Sequence, residues 1–139
     1  MKYKKTGREF NMLQDVITHF GKNPDEIRST KQHGICTYEP LKNKPKSLGC
    51  AIGMYLNNKV AEKLDNQLES SIKDILSKRR LKALLPKWMQ NMDKEFLMKV
   101  QSLHDHITFW SIRGLSKEGK KQVRLICEEH DLAFKQLKL

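Results

Sequence analysis

Apolar positions recur at helical spacing through most of the chain. Phe10, Leu13, Val16, Ile17 and Phe20 form one stripe and predict an amphipathic helix, with Thr6 as its cap and Gly21 as its end. Val60, Leu64 and Leu68 are spaced by four and predict a second helix. Ser70 or Ser71 can restart the chain as a helix carrying Ile72, Ile75, Leu76, Leu81, Leu84 and Leu85, which Pro86 ends or kinks. Residues 87–92 read as a connector or short turn. Asp93 is placed to cap a helix whose stripe runs through Phe96, Val100, Leu103, Ile107 and Trp110 to a stop at Gly114. Ser116 then caps a last helix, in which Val123, Ile126, Cys127 and His130 share a face. Gly34 to Tyr38 is β-prone and bounded by Gly34 and Pro40, so a minor hairpin is expected near residues 28–38.

One stretch breaks the amphipathic pattern. Leu48-Gly49-Cys50-Ala51-Ile52-Gly53-Met54-Tyr55-Leu56 holds no charge at all. With Ser47 as cap it reads as a short helix buried on several sides, around which the rest is organised. Gly49 and Gly53 lie four apart, on one helical face, and mark a close approach of another backbone or a ligand. Together these elements predict a mainly α (α+β) fold: one compact domain over residues 1–139, with five to six helices, the minor hairpin, and a basic N-terminal arm over residues 1–7.

Composition adds charge to this picture. The net charge is +11, with a sequence pI near 9.7. Such a balance attracts nucleic acid, anionic lipid or an acidic protein partner, and says nothing of fold. Residues 1–59 carry 11 Lys/Arg against 5 Asp/Glu, and Pro40–Lys59 has four Lys with no acid. No apolar run follows the basic start and no stretch is long enough to span a bilayer, so a cytoplasmic protein is expected, host-cytoplasmic if phage-encoded, with no membrane partner. Three cysteines without framework spacing make a disulfide scaffold a poor fit.

Four sets of residues carry candidate chemistry. The first is an anion site at the start of the central stretch, built from Lys42, Lys44, Lys46 and Ser47; it lacks the phosphate-loop pattern, and a solvated basic loop explains the same residues. The second is Cys50 as a catalytic nucleophile, activated in the first turn of a helix, against the plainer reading of a buried apolar cysteine. The third is zinc, because His33 and Cys36, with Cys127 and His130, would supply two thiolates and two imidazoles; chance supplies such pairs readily, and no cofactor is otherwise implied. The fourth is a nucleic-acid surface, in which Lys78, Arg79, Arg80, Lys82 and Lys87 supply charge and Trp88 a stacking face, with Lys2, Lys4, Lys5 and Arg8 adding phosphate contacts; a Lys-rich solvated surface explains the same residues. In Leu103-His104-Asp105-His106, His104 is expected to flank the core and His106 to face solvent.

Cys50-Ala51-Ile52-Gly53 resembles the Cys-Ala-Leu-Gly element of small uncharacterised bacterial and phage domains. In those domains a first helix and a short hairpin precede the element. An apolar stretch ending in Asn-Asp and a Thr- or Ser-capped terminal helix follow it. Leu103-His104-Asp105 and Ser116 occupy the matching places here, with His104 where those domains have Asn. The resemblance implies an order of elements and no activity or site residues.

The expectation drawn from the residues is a non-enzymatic basic protein that binds a phosphate-bearing partner, nucleic acid above all. Two alternatives stand beside it: a phage-type or accessory protein that binds and inhibits another protein, and a thiol- or zinc-dependent enzyme. The oligomeric state is not legible.

Overall fold

A computed structural model describes residues 7–22, 38, 50–66 and 71–139. Among these the fold is mainly α with one small antiparallel hairpin. The helices are α1 (Arg8–Gly21), α2 (Asn58–Asp65), α3 (Ile72–Ser77), α4 (Arg79–Lys82), α5 (Lys87–Gln90), α6 (Lys94–Asp105) and α7 (Lys117–Glu129). Strands β1 (Trp110–Ser111) and β2 (Gly114–Leu115) pair with Trp110 opposite Leu115. No helix among the described residues is long and apolar enough to cross a membrane.

Local chemistry explains where most helices begin. Asn57 accepts from the Val60 amide, Ser71 from Asp74, Asp93 from Glu95 and Phe96, and Ser116 from Gly119. Each satisfies an amide that the helix itself leaves open. Helix α1 starts instead at Gly7, which offers no side-chain cap.

Helix α6 is the hub. It packs against α1, α3 and α7, and Phe96, Leu97, Val100 and Leu103 are fully buried on it. Helix α1 contributes Phe10, Met12, Leu13, Val16, Ile17 and Phe20 to the same core, and α7 contributes Val123, Ile126 and Cys127. The charge-free stretch is a wall of this core rather than its axis.

That stretch is also not a regular helix where it is described. Cys50 to Ile52 form a bend and a turn, and Gly53–Tyr55 is a single 3-10 turn. Two long-range contacts override the helical pattern. The Ile52 amide donates to Gln101 Oε1 on α6 at 3.3 Å. At Gly53 the turn presses on the backbone of Tyr38, so closely that a Cβ would lie 2.1 Å from the Tyr38 carbonyl oxygen.

The stripe from Phe96 to Trp110 is likewise divided. Helix α6 stops at Asp105, His106 takes extended dihedrals, and Ile107–Phe109 make a 3-10 turn that leaves Ile107 exposed. The Trp110 indole N–H turns back to donate to the Leu103 carbonyl at 2.8 Å, closing an open carbonyl of the helix end. Gly114 opens strand β2 just past the hairpin turn, at φ +128°, and not at a helix end. Before α6, the break falls at Lys78, also extended, where Ser77 Oγ donates to the Asp74 carbonyl. Pro86 stands at the N-cap position of α5, and the connector or short turn expected here is a single helical turn. The hairpin expected near residues 28–38 lies, apart from Tyr38, outside the described residues.

Candidate nucleic-acid interface

Helix α4 is a single turn seated by one side chain. Leu81 is buried, and with Leu85 it draws the segment onto the core. The remaining residues of that turn then face outward. Lys78, Arg79 and Arg80 are exposed and Lys82 is half-buried. No acidic residue occurs from Ile75 to Met92. Among the described residues, neither Arg79, Arg80 nor Lys82 makes an ion pair. Lys73 on α3 and Lys87 on α5 are exposed as well.

Trp88 sits one residue beyond Lys87, half-buried, and its surroundings were not legible in the sequence. Tyr55 meets it edge to face, with ring centroids 5.1 Å apart. The Arg8 guanidinium lies 5.5 Å over the indole centroid. The Tyr55 hydroxyl donates to Asp15 Oδ2 at 2.8 Å. Burial first, and this bond second, hold that hydroxyl protonated far above the ordinary tyrosine range. Two clefts open on the pair formed by Arg8 and Trp88. One, of about 300 Å³, reaches Asn11, Asp15 and Tyr55. The other, of about 690 Å³, reaches Glu9, Asn91, Met92 and Asp93.

The other expected sites fare differently. Lys42, Lys44, Lys46 and Ser47 lie outside the described residues. Cys50 is fully buried, and its sulfur accepts from the Gly53 amide at 3.4 Å. It stands in a bend ahead of a three-residue 3-10 turn, so the helix end invoked to activate it is not there. Of the zinc set, His33 and Cys36 lie outside the described residues. Cys127 is buried, and burial, with Glu128 adding, pushes its thiol up to about 11. His130 lies edge-on to Phe96 and within 3.5 Å of Lys99 Nζ. No group of three or more His, Cys, Asp or Glu is placed to hold a metal among the described residues.

The histidine pair divides as expected. His106 is exposed, whereas His104 is fully buried. Its Nδ1 lies 2.8 Å from Asp105 Oδ1, which also accepts from Gln101 Nε2 at 2.8 Å. Its ring meets Phe20 edge to face. Because Gln101 also holds the Ile52 amide, this polar group ties α6 to the charge-free stretch. The i, i+4 spacing of Gln101 and Asp105 was the available signal.

Comparison with protein-family models, with curated proteins and with solved structures finds no match.

Proposed function

We propose that this chain is a non-enzymatic binding protein whose basic surface engages a phosphate-bearing partner, nucleic acid before others. The observation that carries the reading is the pair Arg79 and Arg80: exposed, seated by buried Leu81, and without an ion pair among the described residues. Guanidinium groups left to water are suited to phosphate oxygens, which they meet in a bidentate fork. Lys73, Lys82 and Lys87 extend the positive field on neighbouring elements, and the lysines of residues 42–46 are further candidates. Burial of the Cys50 and Cys127 thiols speaks against either as a nucleophile, because a nucleophile must be reached by its substrate.

The test is the ratio of absorbance at 260 and 280 nm for protein purified at low salt, then washed at high salt. A ratio raised at low salt and lowered by the wash supports the reading. A protein-like ratio under both conditions contradicts it.

A second reading, a protein that docks on and inhibits another protein, is favoured by one observation. Ile107 and Ile112, on either side of β1, are 70% and 80% exposed. A stoichiometric partner recovered after nuclease treatment, and lost on Ile112→Asp, is its expected outcome.

A further inference from the structure

We infer that the Trp88 cleft seats one unpaired base, so that the partner is single-stranded rather than duplex nucleic acid. This rests on the nucleic-acid reading and names its substrate class. Trp88 is held by a relay across three elements: Asp15 of α1 fixes the Tyr55 hydroxyl, and the Tyr55 and indole rings meet edge to face. Over a face of the indole lies a planar cation, the Arg8 guanidinium. A nucleobase is another planar π group and stacks on the same surfaces, the indole and the guanidinium plane alike. Arg8 is exposed, so its guanidinium can turn from the ring to a phosphate.

The lining selects for a base over a phosphate. Asp15 and Asp93 bring carboxylates to the clefts, where they repel phosphate. Carboxylate and amide side chains, here those of Asn11 and Asn91, read the donors and acceptors of base edges. A base therefore enters while its phosphate is left at the mouth to the Arg8 guanidinium, which borders both clefts. In a duplex the bases are stacked and paired and do not reach such a cleft; in a single strand they splay out.

The test uses the whole chain, a single-stranded oligonucleotide and its duplex. The two tryptophans separate cleanly, since Trp110 is buried with its N–H bonded and Trp88 is half-exposed. The single strand should quench the Trp88 emission. Trp88→Leu, which keeps apolar volume against Tyr55, should weaken single-strand affinity about tenfold or more while leaving the salt dependence unchanged; Trp88→Phe should restore part of the loss. The quench requires no variant, so misfolding of Trp88→Leu would not spare the inference. Binding that is salt-steep but indifferent to Trp88→Leu, or equal for duplex and single strand, overturns the inference and leaves the basic-surface reading standing. Absence of binding to either oligonucleotide overturns both.

Discussion

Helices α4 and α7 are both rich in lysine and arginine, and they use those charges differently. On α7 the cations are interleaved with acids and aromatic rings. Lys121 lies 3.6 Å from Glu118, Glu129 pairs with Lys99 of α6, and the Arg124 guanidinium lies 4.9 Å over the Phe134 ring. On α4 there is no acid in the turn or around it in sequence, and Arg79 and Arg80 pair with nothing among the described residues. The seats differ too. Helix α7 buries a whole face and is clamped at its start by Ser116, while α4 is seated chiefly by Leu81. Lys121, Arg124, Arg79 and Arg80 are all exposed, but the two on α7 have a local partner and the two on α4 have none among the described residues. Positive charge alone does not mark a binding surface; charge without local compensation does.

The largest expected effect probes the scaffold side. At Gly119 a Cβ would fall 2.0 Å from the Phe109 carbonyl oxygen. Gly119→Ala must push α7 off the 3-10 turn, at a cost of about 3 kcal/mol or more, since overpacking alone costs about 1–3 kcal/mol and here the obstacle is backbone. Urea unfolding measures it, and a loss under about 1 kcal/mol would show that α7 is not clamped as described.

The next effect separates the two helices directly. Arg79→Gln with Arg80→Gln should lower nucleic-acid affinity about tenfold near 0.1 M salt and leave stability within about 0.5 kcal/mol. Lys121→Gln with Arg124→Gln on α7, the two cations there with a local partner, should change affinity by less than about threefold. Filter binding of both double variants checks this, and equal losses would abolish the distinction between the helices.

The smallest effect concerns a charge that the fold withholds. Burial lowers the pKa of His19, with Lys22 lowering it further and Asp15 acting against both, and its Nε2 has no partner among the described residues. The unfolded chain therefore takes up this proton at a higher pH than the folded one. Stability should fall as pH drops below about 6.5, with the loss complete once pH passes the lower folded value. His19→Gln should flatten that part of the curve in melts between pH 7 and 5, while binding through α4 at pH 7 stays unchanged.

Much of this fold was legible because its signals are local. The stripe of α1, the caps Ser71, Asp93 and Ser116, and the outward turn of Arg79 and Arg80 around Leu81 all follow from residues within one or two turns of each other. Where the reading missed, a distant group decided the outcome. Gln101 takes the Ile52 amide, Tyr38 lies against Gly53, and the Trp110 indole folds back on Leu103. The Trp88 cleft was hidden for the same reason. Trp88 was visible as an aromatic beside basic residues and Arg8 as a basic residue of the same candidate surface, but their contact, and the places of Asp15 and Tyr55, join remote parts of the chain that no period or spacing links.

The measurement closest to the central claim is the salt dependence of nucleic-acid binding for the native chain and for Arg79→Gln with Arg80→Gln. Each phosphate contact contributes about 0.7 to the slope of log K against log salt for single strands, and about 0.9 for duplex. The native chain should show a steep slope that becomes shallower by about 1.4 in the double variant on a single strand, two contacts' worth. A native slope near zero, or one that the double variant leaves unchanged, would contradict it.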